Sequence, residues 1–143
     1  MTSEVKILCV APDLVDRMAE AAHDLLVRGL ATAPERTFAE HLQRVRDGKA
    51  LLWVALRSDR LLAAFLTEIV QGDGAKWVGV YGMSGVQVHA WRNAIRDRLV
   101  KFAAEEGCDC IRFAGRAAWG RIFRDCRIIG EERGEAIFER VAA

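Results

Sequence analysis

The chain has 143 residues, of which 52% are hydrophobic and 29% charged, with a formal net charge of +1. That length fits one domain over residues 1–143 with a sizeable core, and the composition is that of an ordinary globular protein. The charge balance names no partner: residues 92–133 carry ten basic and seven acidic side chains, too small an excess for a nucleic-acid surface, and no apolar run reaches the roughly 18–20 residues of a membrane helix.

Residues 4–10 (EVKILCV) read as a short strand. Pro12 suits the first position of a helix, and Leu14, Met18, Ala21, Ala22, Leu25 and Gly29 follow at the spacing of one helical face. The segment ATAPER breaks that helix, and Thr37 with Glu40 forms a T-x-x-E capping box that opens a second one. Phe38, Leu42 and Val45 line its inner face, and Gly48 ends it. Residues 50–57 are apolar on both faces, as in a covered central strand. Ser58-Asp59 turns the chain into a strand over 61–70, and Gly72-Asp73-Gly74 turns it into another over 75–82. Gly79 and Gly82 there mark a bulge or a close backbone approach. Gly82-Met83-Ser84-Gly85 reads as the turn into a helix over 87–106, with Trp91, Ile95, Leu99, Phe102 and Ala103 as its buried stripe and Gly107 as its cap. A fifth strand at 108–113, a short basic helix at 116–124 and a closing hairpin from 126–130 and 135–141 complete the chain. The order β-α-α-β-β-β-α-β-α-β-β predicts an α/β (α+β) fold: a mixed, mainly antiparallel sheet with helices on both faces. The β-α-β unit over 75–113 requires a right-handed crossover and a parallel pair.

This order resembles the GNAT (acetyl-CoA-dependent N-acetyltransferase) fold across nearly the whole chain. The resemblance implies that acetyl-CoA lies where two strands of the central β-α unit splay. Its pyrophosphate would sit on the N-terminus of the following helix, in a loop of pattern (R/Q)-x-x-G-x-(G/A). Free N–H groups and the helix dipole attract phosphate there, and glycines admit it closely. Counting back from Gly107 puts the loop on Gln87, Val88, His89, Ala90, Trp91 and Arg92, which become the implied cofactor-binding residues. Gln87 fits. Ala90 replaces the first glycine. Arg92 replaces the second small residue, where a long side chain is expected to crowd the pyrophosphate; the other outcome is a positive charge offered to it.

Amine acetylation needs a base for the amine and an acid for the leaving thiolate. The resemblance implies a Glu near the fourth strand and a Tyr in the short helix after the fifth. The fourth strand has no carboxylate, so Glu68 on the third is the nearest base; Phe123 holds the Tyr position, and the chain's single tyrosine is Tyr81. Glu68 and Tyr81 are therefore the candidate catalytic residues. Each also fits a plainer role, Glu68 as a solvent-facing strand residue and Tyr81 as a half-buried strand aromatic. Ser84, Cys108 or Cys110 could stand in as the acid, with nothing further to support them.

His23, His41 and His89 lie far apart and read as surface or helix-face residues, and Cys108-x-Cys110 with Cys126 lacks a fourth ligand, so no metal site is expected. Four cysteines are too sparse for a secreted framework, and no leader precedes the first strand, so a cytoplasmic location is expected.

The segment Gly115-Arg116-Ala117-Ala118-Trp119-Gly120-Arg121, after Glu105-Glu106-Gly107-Cys108, resembles a G-R-x-x-W-x-R stretch of phage-encoded GNAT-like proteins. Some of those belong to particle or morphogenesis gene sets. The resemblance implies that Arg116, Trp119 and Arg121 contact a protein partner or a phage particle. With Arg92, Phe123 and the missing carboxylate, it leads to the expectation of a GNAT-fold protein of phage type. Its catalysis would be weak or absent, and its role binding or virion-associated. Two alternatives stay open: an active acetyl-CoA-dependent N-acetyltransferase with an altered CoA loop, and a nucleic-acid-contacting module using Arg92, Arg96, Arg116 and Arg121. The connection Ala31–Arg36 would cover the acyl acceptor but names no substrate.

Overall fold

The computed structural model describes residues 4–31, 33–72, 74–115, 126–132 and 135–141. Strand β1 (Val5–Cys9) leads through a 3-10 turn at Pro12–Leu14 into α1 (Val15–Ala21) and α2 (His23–Leu30). Then come α3 (Phe38–Arg46), β2 (Leu51–Arg57), β3 (Arg60–Gly72), β4 (Ala75–Gly85), α4 (Val88–Glu105), β5 (Cys110–Gly115), β6 (Arg127–Glu132) and β7 (Glu135–Val141). Among the described residues these strands form one sheet in the order β1-β2-β3-β4-β5-β7-β6. Neighbours are antiparallel except β4 and β5, which run parallel across the α4 crossover. The chain thus forms the expected mixed, mainly antiparallel sheet with helices on both faces. The basic helix expected over 116–124, with Arg116, Trp119, Arg121 and Phe123, lies outside the described residues. No helix among the described residues is long and apolar enough to cross a membrane.

The sheet separates two cores. On one face Trp53, Phe65, Val78 and Val80 pack against Trp91, Ile95, Leu99 and Phe102 of α4. On the other, Leu52, Val54, Ala64 and Leu66 meet Val15, Ala19, Leu26, Leu30 and Val45 from the first three helices. Helix α3 begins at the expected capping box: Glu40 N–H donates to Thr37 Oγ1 at 3.1 Å, and Thr37 N–H donates to Glu40 Oε1 at 3.0 Å. His41 is buried, not superficial, and its Nε2 donates to the Ala33 carbonyl at 3.2 Å, tying the α2–α3 connection to α3.

Three local expectations change. The stretch after Pro12 is not one helix: Ala22, at φ −97° and ψ 10°, separates α1 from α2. Its buried face is Val15, Ala19, Ala22, Leu26, Gly29 and Leu30, while Leu14 and Ala21 are exposed. Leu14 belongs to the 3-10 turn and Val15 is the first α-helical residue, so the apolar face begins one position later than Leu14. Next, the strand expected at 75–82 runs on to Gly85, so Gly82-Met83-Ser84-Gly85 is not a turn. Tyr81 pairs with Leu66 and Ser84 with Ala64, which leaves Gly82 and Met83 opposite Phe65 alone. This is a β-bulge, and Gly82 takes the positive φ (69°) that such a position demands. Finally, β5 starts at Cys110, so Cys108 precedes the strand and does not share its face.

Candidate active site

The bulge sits where the sheet opens. Backbone pairing between β4 and β5 covers only Trp77–Val80 against Cys110–Phe113. Beyond it β4 continues on the register of β3, and β5 continues on that of β7, so the two strands part. The parted ends and α4 enclose a narrow cleft of about 20 Å³, lined by Val80, Met83, Leu99, Ile111, Phe113 and Cys126 with Arg96 and Arg140. Helix α2 backs the bulge from the other face. A Cβ on Gly29 would fall 2.0 Å from the Gly82 carbonyl oxygen, so the two backbones lie flush.

Helix α4 starts almost at once after β4. Only Val86 and Gln87 connect them, and Gln87 adopts the left-handed conformation (φ 54°, ψ 53°). Of the six residues predicted to form a phosphate loop, Gln87 alone precedes the helix; Val88 to Arg92 are helical. Ala90 N–H is already donated to the Gln87 carbonyl at 2.8 Å. The Trp91 side chain is fully buried and donates its Nε1–H to the Val86 carbonyl at 2.8 Å, which removes it from any ligand at the helix end. The Val88 and His89 amides remain in the first turn, where a helix supplies no internal acceptor. That turn contains no acid. Arg92 is the fifth helical residue, about 6 Å along the axis from the first. It is half-buried and forms no ion pair among the described residues. Arg92 thus lies within the helix and not in a loop before it. The Val88 and His89 amides and the Arg92 side chain are the groups at this helix end that could hold a phosphate.

The face opposite α4 brings Glu68 and Tyr81 together. They come from β3 and β4, two cross-strand positions apart, and Tyr81 Oη donates to Glu68 Oε2. Glu68 is not the solvent-facing residue of the plainer expectation: its side chain is 10% exposed. Arg44 of α3 pairs with Oε1, and Arg36 from the α2–α3 connection places Nη1 3.5 Å from Oε2. Gly79 lies between the pair on β4, and the Tyr81 ring crosses it, 3.4 Å from where a Cβ would stand. The His41 ring lies 6.4 Å from that of Tyr81. Arg36 and Arg44 were not legible as site residues by motif. A helical wheel anchored on Thr37 could have found Arg44, which follows the buried His41 by three positions and precedes Val45.

A second charged group continues the same row across the sheet. Gly79 pairs with Arg112, Arg112 with Glu139, and Glu139 with Arg127. Glu139, 6% exposed, accepts from Arg127 Nη2 at 2.7 Å and from Arg112 Nε at 2.8 Å. The Arg127 hydrogen bond, then that of Arg112, holds its carboxyl down at about 2. Arg112 also stacks on Trp77, its guanidinium carbon 4.2 Å from the ring centroid. Cys110 donates its thiol to Glu139 at 3.5 Å, and burial pushes that thiol up. Cys108 is likewise buried and raised by desolvation, as a small core hydrophobe would be. His23 and His89 are exposed.

No protein-family model and no curated protein matches the chain. Solved structures do. FeeM, an N-acyl amino acid synthase from uncultured soil microbes, superposes with a TM-score of 0.69 at 12% identity, over 99% of this chain and 92% of its own. The GNAT domain of S. lividans PAT gives 0.70 at 14% identity, over 96% and 90%. The PaiA N-acetyltransferase from Thermoplasma acidophilum, solved in complex with coenzyme A, gives 0.59 at 12% identity, over 96% and 99%. At these identities the likeness is one of fold, and the fold is GNAT.

Proposed function

We propose that this GNAT-fold chain is an acyltransferase that binds acetyl-CoA in the β4–β5 cleft and acylates an amine presented on the opposite face. The observation that carries the reading is the parting of β4 from β5 at the Gly82 bulge, with Tyr81, bonded to Glu68, as the last residue before it. The likeness in fold to N-acetyltransferases and to an N-acyl amino acid synthase supports it. Val80, Met83 and Phe113 would hold the apolar arm of acetyl-CoA, and the first turn of α4 with Arg92 its phosphates. When bound, acetyl-CoA supplies a thioester carbonyl carbon for the amine to attack. Glu68 takes the proton that the amine must lose. Tyr81 Oη protonates the departing sulfur and recovers a proton from Glu68 along the hydrogen bond they already share, so the two residues end as they began.

The test is a calorimetric titration of acetyl-CoA. Micromolar Kd is expected, and no heat at millimolar ligand overturns the reading. The rival is a GNAT scaffold with weak or absent catalysis, acting as a binding or virion-associated protein. Its support is the two-residue β4–α4 connection and the Ala90 amide already engaged, which leave little backbone to wrap a pyrophosphate. On that reading acetyl-CoA fails to bind and the protein co-purifies with phage particles.

A further inference from the structure

Two guanidinium groups converge on one carboxylate at the Glu68 site. Arg36 and Arg44 keep 33% and 30% of their side chains exposed, while Glu68 keeps 10%. Glu40 also lies within electrostatic reach of Arg36, but both forks retain N–H donors that Glu68 cannot occupy. Arg44 Nε is buried with no acceptor among the described residues, an orphaned donor on the same guanidinium. A planar fork with spare donors is the geometry that takes a carboxylate.

Resting on the acyltransferase reading above, we propose that the acceptor is an α-amino acid, its carboxylate held by Arg36 and Arg44 and its amine by Glu68. The spacing fixes the position of that carboxylate. Arg44 contacts Glu68 directly, and Arg36 lies 3.5 Å from it, so an amine on Glu68 stands immediately beside both guanidiniums. Only an anionic group very close to the nitrogen fits; in an α-amino acid the carboxyl carbon is about 2.5 Å from it. A peptide N-terminus, whose α-carboxyl is consumed in an amide bond, lacks the group.

The experiment titrates the protein with L-phenylalanine, L-leucine and L-glutamate, each beside its α-amide, followed by NMR. At least one free acid is expected to bind about tenfold more tightly than its amide. Arg36→Gln and Arg44→Gln are each expected to reduce that ratio below about threefold. Arg36 lies on a connection, so its variant serves if Arg44→Gln fails to fold. Amides binding as well as the acids, no acid binding at all, or a preference that survives both substitutions overturns the proposal. Acetyl-CoA titrated into the same samples reads the donor site separately. Acid preference without CoA binding keeps the clamp and removes the acyltransferase; CoA binding without acid preference does the reverse.

Discussion

Tyr81 and Glu68 come from different strands, and their hydrogen bond exists only because β3 and β4 pair in one register. Tyr81→Phe keeps the ring that packs on α2 and α3 and removes the hydroxyl alone. Release of CoA is expected to slow by about 10²-fold with little change in thermal midpoint, measured by a thiol-detection assay and a melt. Glu139 makes a different prediction. Its carboxyl is lowered from 4.5 to about 2, so it stabilises the fold fully above its unfolded value and loses that contribution as pH falls through about 2. Glu139→Gln should flatten the acid side of the stability profile between about pH 4.5 and pH 2, read from urea midpoints. At neutral pH the same change should cost about 2 kcal/mol, below the usual figure for a buried pair because Arg127 is largely exposed. At this scale the sequence singled out Glu68 and Tyr81 as candidates but not their neighbours. Glu68 and Tyr81 stand out by type, yet nothing in their spacing of thirteen positions signals contact. Arg36, Arg44, Arg112 and Glu139 look like ordinary surface charges until the register lines them up.

Among the elements, those with local physical causes were readable. The T-x-x-E box starts α3 where expected, and Thr37→Ala should lower stability by about 1 kcal/mol in a denaturant titration. The apolar run of β2, the Ser58 turn and the Trp91–Ala103 stripe of α4 likewise follow from pattern alone. The end of β4 did not, because two glycines near a helix start look like a turn. Only pairing with Ala63 and Ala64 reveals them as a strand with a bulge. The longer strand leaves only Val86 and Gln87 before α4. The contact of Gly29 with Gly82 was hidden for a related reason: it joins α2 to β4 across more than fifty residues. Gly29→Ala should lift α2 from the bulge, lowering stability by about 1–3 kcal/mol and weakening acetyl-CoA binding together. A drop in stability with unchanged CoA affinity would show that the bulge holds its shape without the helix.

For the molecule as a whole, the order of elements foretold the sheet, the antiparallel first half and the parallel crossover. It could not foretell how far β4 and β5 stay paired, because strand separation is set by register against β3 and β7, not by either strand's own composition. That short pairing has a mechanical consequence. The sheet is two smaller sheets, β1-β2-β3-β4 and β5-β7-β6, stitched by backbone along four residues of β4 and of β5. A ligand lodged in the opening acts as a staple across the seam, replacing with its own contacts the rungs that the backbone leaves out. Melting temperature should therefore climb with acetyl-CoA concentration, and the amides of β5 should be the ones whose hydrogen exchange slows most.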